Sequence, residues 1–536
     1  MNRAYFIVAG MMLAGMAVSA AAGDAPTADK AAPASQDSKA FFTPSESTTS
    51  GAVTIGGRRI DYQAVAGSIV VHPAGFDDAP QTADDKKAGK NPDAEASMFY
   101  VAYFKKGAAP GSRPVTFLYN GGPGSSTVWL HMGAFGPRKV VTNDHAHTLP
   151  APYQLVNNDN SLLDASDLVF IDAPGAGFSR IAGKDKEKAF YGVDEDAHAF
   201  AEFIKAFLSK YDRWNSPKYL FGESYGTPRS AVLSNMLQSD ENIDLNGVIL
   251  LSQILNFDLS VDGPETNPAI DAPYEVALPT YAATAWYHHK LPGNPKDLDT
   301  VIQKAEVFAM GPYAYALAQG SSLSPKARKD IAEKLHGFTG LPVDYILRAN
   351  LRISGGVFEQ HLQQDSDTTT GRLDTRFSGP TMDPLSKESD YDPQSAAISS
   401  AYVSAFNSYV RETLDYGKGL TYKPEIDVFK YWSFKHKQPG QHFAFPGATN
   451  TMPDLATAMK YNPDLKVLLA GGYYDLATPF YEGWYEMHHL PIPDKLQANI
   501  EYRYYPSGHM VYANAESAKK LHDDVAAFIQ ATDNVK

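Results

Sequence analysis

The chain has 536 residues, a net charge of −14 and no cysteine, with 43% apolar and 20% charged residues. The composition is that of a folded globular protein, and the length exceeds what one simple core holds. The lack of Cys excludes a Cys nucleophile, Cys-ligated zinc, iron–sulfur clusters and disulfides. No basic cluster stands out, which excludes nucleic acid as a partner, because binding its phosphates needs clustered Lys and Arg.

Residues 1–22 have the layout of a secretory signal peptide. Arg3 precedes an apolar run over 5–18, and small residues follow at 19–22. The run is shorter than the roughly 20 residues that cross a bilayer, and no later stretch is long and apolar enough. The expected mature chain has no membrane span and is periplasmic or secreted. Residues 23–50, rich in Ala, Ser, Thr, Pro and Asp, read as a flexible leader.

From residue 51 the pattern turns β-like. Strands are expected at 52–55, 58–64, 68–71 and 97–105, with a polar loop over 74–95. Strand and helix patterns then alternate. Apolar runs at 115–119, 168–171, 219–221 and 248–255 read as buried strands. Helices are expected from Asp194, as cap, to 208, and from Thr227 and Pro228, as cap and first residue, to 238. Such repeats imply a mainly parallel sheet with helices on both faces. The alternation is lost after 257, where Pro-rich loops mix with helices at 325–335 and 397–415. Strands resume at 467–470 and 500–504, and a last helix covers 515–531. The expectation is an α/β domain built from 51–257 and 441–536, interrupted by a mostly helical cap insertion over 258–440.

Gly222-Glu223-Ser224-Tyr225-Gly226 matches G-x-S-x-G and falls between a strand and a helix start, the context of a nucleophile elbow. Gly at both flanks lets neighbouring backbone approach the turn. A Ser hydroxyl needs a base, and the base needs an orienting acid. In the α/β-hydrolase fold the acid and then the His follow the Ser in the chain. Asp475 follows the strand at 467–470, and His509 sits in a Gly-containing loop before the last helix, so Ser224, Asp475 and His509 form the expected triad.

Asn120-Gly121-Gly122-Pro123-Gly124-Ser125-Ser126, Asp172-Ala173-Pro174-Gly175-Ala176-Gly177-Phe178-Ser179 and Gly222-Glu223-Ser224-Tyr225 resemble signatures of the serine carboxypeptidase family. The segments around Asp475 and Gly508-His509-Met510-Val511 resemble that family's acid and histidine blocks. The resemblance covers roughly 97–257 and 440–531. It implies an α/β-hydrolase fold, peptide substrates, Ser224 as nucleophile, His509 as general base and then acid, and Asp475 as the group fixing the imidazole. It also implies an oxyanion hole from the backbone N–H groups of Gly122 and Tyr225, with a terminal-carboxylate site at Asn120 and Glu223. Tyr119 and Ser125 stand where the pattern has Trp and Cys, which fits a bacterial-type, disulfide-free member. Ala134 stands where a second carboxylate is expected.

No cofactor or metal is expected. Asn120–Ser126 lacks the Gly-Lys-Ser/Thr ending of a P-loop, and 175–177 lacks the third Gly and acidic partner of a dinucleotide site. The adjacent pairs His288-His289 and His488-His489 point apart and read as non-metal. A serine esterase or acyltransferase on the same triad is a second reading, because the triad fixes acyl chemistry and not the substrate. A catalytically silent binding protein is a third.

Overall fold

The described residues begin with three antiparallel strands, β1 (Glu46–Ile55), β2 (Arg58–Val71) and β3 (Glu95–Lys105), the last two rich in Tyr, Val and Ala. The computed structural model describes residues 41–535, so the signal-peptide reading of 1–22 lies outside the described residues. The leader expected over 23–50 is too long, because β1 already begins at Glu46. Residues 46–50 carry no apolar signal because this edge strand is held by its backbone ladder to β2 rather than by burial. The loop expected over 74–95 contains a short helix, Ala83–Ala88, closed by a Thr82–Asp85 capping box.

A short strand, Arg180–Ala182, pairs with β3, and six further strands extend the main path of the sheet: β4 (Val115–Tyr119), β5 (Asp167–Ile171), β6 (Lys218–Glu223), β7 (Gly247–Leu251), β8 (Lys466–Gly472) and β9 (Ile500–Tyr505). Their order is β1-β2-β3-β5-β4-β6-β7-β8-β9, and β5 through β9 run parallel. Both faces of the parallel part are covered, which is why its strands are apolar runs rather than alternating ones.

The main helices are α1 (Val193–Lys210), α2 (Gly226–Ser239), α3 (Ala272–Tyr287), α4 (Leu298–Phe308), α5 (Pro325–Thr339), α6 (Pro393–Glu412), α7 (Met452–Tyr461), α8 (Phe480–His488) and α9 (Ala515–Thr532). On one face Phe200 and Phe207 of α1, Leu237 of α2 and Leu455 of α7 pack on Phe117, Leu220, Val248 and Val467. On the other, Phe406 of α6 and Val525 of α9 pack with Leu118, Phe221, Ile249 and Leu468.

Two helix starts differ from the sequence reading. Gly192, not Asp194, occupies the cap of α1, and Asp194 lies in its first turn. α2 begins at Gly226, so Thr227 is inside it, where its hydroxyl donates to Ser224 O at 2.7 Å. The strand expected to reach 255 ends at Leu251. Ser252 turns left-handed at φ 52°, and the Glu486 carboxylate of α8 accepts the N–H groups of Leu255 and Asn256.

Residues 258–440 divide between two cores. α3, α4 and α5 enclose a core of their own around Tyr281, Phe308, Leu335 and Phe358. α6 instead buries a stripe of Ile398, Tyr402, Phe406 and Tyr409 in the sheet core.

The end of this segment is fastened by one buried imidazole. His436 Nδ1 lies 2.5 Å from Asp194 Oδ1, and its Nε2 lies 2.7 Å from Asp454 Oδ2 of α7. Burial opposes the charged ring, but the two carboxylates outweigh it and raise its pKa to about 9. A raised folded pKa contributes stability that is complete below the unfolded value of about 6.5 and lost as the pH climbs through about 9. His436→Gln leaves Asp454 buried without its cation, which costs ~3–5 kcal/mol near neutral pH. Thermal unfolding of both proteins from neutral to alkaline pH is the check. The wild-type midpoint should fall through about pH 9, and an identical alkaline decline in His436→Gln would exclude His436 as its cause.

Candidate active site

Ser224 directly follows β6, at the carboxyl edge of the parallel strands, with φ at 59°. A non-glycine residue in this region is strained and persists only where its surroundings fix it. Ser224 N donates to Leu251 O on β7 at 3.0 Å, and Thr227 N donates to Ser224 O at 2.8 Å. A Cβ on Gly222 would lie 2.1 Å from Gly226 O, and one on Gly121 would lie 2.3 Å from Tyr225 N. The two Gly-rich motifs are thus in backbone contact. Gly121 lies against Tyr225, the residue that follows the Ser, and the next residue, Gly122, has φ 106°. Ser224 itself is half-buried.

β8 and β9 deliver the other two groups to the same edge. Asp475 is fully buried. Its Oδ1 accepts the N–H groups of Ala477 and Thr478 at 2.9 and 3.0 Å. Its Oδ2 lies 2.8 Å from His509 Nδ1. The Thr478 hydroxyl donates to Asp475 Oδ2 at 2.8 Å and lies 3.2 Å from His509 Nδ1. Ser252, in the turn after β7, donates to His509 O at 2.7 Å. Burial disfavours the protonated ring of His509, but the adjoining Asp475 carboxylate prevails, and the net shift is upward from the ordinary value.

Glu223, one residue before the Ser, is buried and accepts a hydrogen bond from Tyr512 at 2.8 Å. Burial raises its pKa to about 7, against the lowering fields of His509 and the Tyr512 and Asn120 hydrogen bonds. Asn120 Oδ1 accepts Leu130 N at 3.1 Å, and its backbone O accepts Arg229 Nη1 at 2.8 Å. Arg229, buried on α2, also pairs with Asp196 of α1 at 2.5 Å. One guanidinium therefore ties the Gly-rich loop to both helices. Ala134 is buried, with only a methyl group where the sequence pattern wants an acid. The rings of His488 and His489 stack on Trp484 and Tyr485.

The sequence reading missed Thr478, Tyr512 and a loop from the insertion. In that loop Leu373 O accepts His509 N at 2.6 Å, and Arg372 O accepts Leu476 N at 3.0 Å. Asp374 Oδ2 accepts Gly508 N at 3.1 Å and pairs with Arg376. Thr478, three residues after the acid and at the start of a helical stretch, was the one legible signal, since hydroxyl side chains there bond back to nearby carboxylates.

The sequence profile of the family described as serine carboxypeptidase matches residues 88–274. Over that span the chain is similar to serine carboxypeptidases. The matched span contains the Gly-rich loop, the 172–179 block and the turn at Ser224, while Asp475 and His509 lie beyond it. Serine carboxypeptidase-like 5 of Arabidopsis thaliana is 27% identical over 226 residues, 40% of this chain and 48% of the relative. Serine carboxypeptidase-like 3 of the same plant is 27% identical over 32% of this chain and 39% of the relative. A pheromone-processing carboxypeptidase of Verticillium alfalfae is 31% identical over 25% and 19% respectively. The chain thus spans less than half the length of each of these relatives. A proline iminopeptidase structure from Mycobacterium smegmatis aligns over 90% of this chain and 99% of its own, at 12% identity and a TM-score of 0.33. A peroxisomal α/β-hydrolase of Saccharomyces cerevisiae aligns over 91% and 90%, at 10% identity and a TM-score of 0.34. The parallel sheet and the Ser turn at its carboxyl edge make the fold an α/β-hydrolase.

Thr478→Val removes the hydroxyl from Asp475 and His509 at nearly constant shape. Its turnover of an activated ester should fall about tenfold, the effect of roughly one hydrogen bond to a charged group. Unchanged turnover in a folded Thr478→Val protein would reduce this hydroxyl to packing.

Proposed function

We propose that the chain is a serine carboxypeptidase that removes C-terminal residues from peptides through an acyl-enzyme on Ser224. One observation carries the reading. A hydroxyl in a strained turn at the sheet edge shares that edge with a buried Asp475–His509 pair, and Asn120 and Glu223 adjoin the turn.

In this mechanism Ser224 Oγ attacks the last peptide carbonyl while His509 Nε2 takes its proton. The N–H groups of Gly122 and Tyr225 receive the oxyanion. Collapse expels the C-terminal amino acid, whose nitrogen takes the proton back from His509. Water then repeats the sequence in reverse, releasing the shortened peptide and restoring Ser224. Asp475 holds the imidazole with Nδ1 protonated and offsets its transient charge. Asn120 and protonated Glu223 hold the terminal carboxylate, so a free C-terminus is recognised. The signal-like residues 1–22 support a periplasmic or secreted location for this activity.

The pH dependence has two limbs. His509 must be neutral to act as base, and its raised pKa puts the acid limb above the ordinary 6.5. Glu223 must keep its proton to bridge to another carboxyl group, and it loses that proton through about 7. A bound carboxylate, being a like charge, raises this value further. Free-acid peptides should therefore give a bell-shaped kcat/KM, and the same peptides as C-terminal amides should show only the acid limb. Ser224→Ala should abolish turnover and labelling by a fluorophosphonate, with loss of at least about a thousandfold. The deciding comparison is one peptide as free acid, as C-terminal amide, and with its last bond made internal. Equal kcat/KM for all three replaces this reading with an esterase, acyltransferase or endopeptidase. No labelling and no turnover leaves a silent binding protein.

A further inference from the structure

Glu223 is a nearly inaccessible carboxyl that must be held by donors to have a fixed direction. The donor does not come from the loop that contains Ala134. It comes from Tyr512, in the short turn Val511–Ala513 three residues beyond His509, whose hydroxyl reaches Glu223 Oε2 at 2.8 Å. Asn120 is within hydrogen-bonding reach of both the Glu223 carboxyl and the Tyr512 hydroxyl. Beside Ala134, a Cβ on Gly133 would lie 2.6 Å from the Tyr402 hydroxyl and 2.8 Å from Tyr512 Cδ2. Two tyrosines, one from α6 of the insertion and one from the His509 loop, therefore pack against Gly133, the neighbour of Ala134.

We infer that Tyr512 is a specificity-determining residue of the terminal-carboxylate site, holding Glu223 Oε2 so that the other carboxyl oxygen is the one turned to a substrate carboxylate. This rests on the carboxypeptidase reading above and adds to it the residue that orients the acid. A second carboxyl in this role would bond Glu223 only while the pair shared a proton. A phenol donates at every working pH, since its ordinary pKa is about 10 and burial pushes that of Tyr512 higher still. The Glu223 side of the site then turns on one proton rather than on a shared pair. The charged and titratable groups in its field are His509, Asp475, Tyr512 and Tyr402.

The consequence has an unexpected sign. The Tyr512 hydrogen bond stabilises the ionised form of Glu223, so its removal makes the carboxyl hold its proton more tightly. Tyr512→Phe should weaken binding of free-acid peptides at mildly acid pH, where Glu223 is protonated in both proteins, because the acid is no longer oriented. It should also move the alkaline limb of their kcat/KM upward by about half a pH unit or more. Incorporating 3-fluorotyrosine at position 512, a stronger donor of nearly the same shape, should move that limb downward and covers the case in which Tyr512→Phe does not fold. The readout is the alkaline limb for one peptide as free acid, with its C-terminal amide as the reference that lacks the limb. Opposite displacements in the two variants support the inference. An alkaline limb that stays in place in a folded variant, while the wild type still prefers free acid to amide, overturns the role of Tyr512 alone. A wild type that treats acid and amide alike overturns the carboxypeptidase reading, and this inference with it.

Discussion

The backbone contact between the Gly-rich loop and the turn at Ser224 is the constraint on which the rest of the site depends. With φ at 59°, Ser224 is held by strand β7 below and the first turn of α2 above. That posture is possible only while Gly121 presses on Tyr225 with no side chain between. Arg229, from the helix that the turn itself launches, reaches back to Asn120 O. The insertion's return segment braces the loop from outside, because Ser126 N donates to Pro424 O at 2.8 Å and Ile426 N to Gly124 O at 3.0 Å. Displacing any of these moves the hydroxyl and the adjacent N–H groups together. This is why strain can be stored here without being relieved.

Acid groups crowd this edge of the sheet, and the structure separates them by protonation. Asp475 has four hydrogen-bonding contacts to its oxygens and is the natural partner of His509. Glu482, seven residues on and fully buried, is driven well above the usual carboxylate range by burial and by the fields of Glu486 and Asp475. A neutral Glu482 adds no further negative charge beside Asp475. Glu486 is raised to about 7 by burial, although backbone N–H groups and Gln253 hold its ionised form. Glu223 has the same apparent value on the other side of the nucleophile. Burial thus raises both Glu486 and Glu223 above the usual carboxylate range.

The parts of this arrangement legible in sequence were those in which one short stretch does the whole job. A Ser between glycines at a strand–helix junction, an acid after an apolar strand and a His after a Gly each announce themselves within a few residues. The parallel sheet was legible for the same reason, since its strands are apolar runs. What stayed hidden depends on distant partners. Residues 46–50 look like leader because an edge strand can be held by backbone bonds alone. Asp194 looks like a helix cap, but its carboxylate is taken by a histidine 242 residues away. Tyr512 carries no local mark, and its role appears only once Glu223 is seen beneath its hydroxyl.

The loop 371–376 gives the insertion a part in holding the Asp475 and His509 loops that its sequence does not suggest. It is bonded to the acid loop through Arg372 O and through Thr375 N, which donates to Tyr474 O at 2.9 Å. It is bonded to the histidine loop through Leu373 O and the Asp374 carboxylate. β8 and β9 end beside one another, but nothing in their ladder fixes the distance between an Asp three residues past one end and a His four residues past the other. The insertion loop bridges that gap with the Asp374 carboxylate and with main-chain bonds, the latter tolerating substitution of most side chains while preserving geometry. Tyr402, on the part of the insertion that joined the sheet core, lies close enough to Glu223 to feel its charge. Changes in 258–440 are thereby coupled to the His509 loop on one side and to the surroundings of Glu223 on the other. A fold that left chemistry to the sheet and recognition to the insertion would allow the two to vary independently, and the bonds at 371–376 remove that independence.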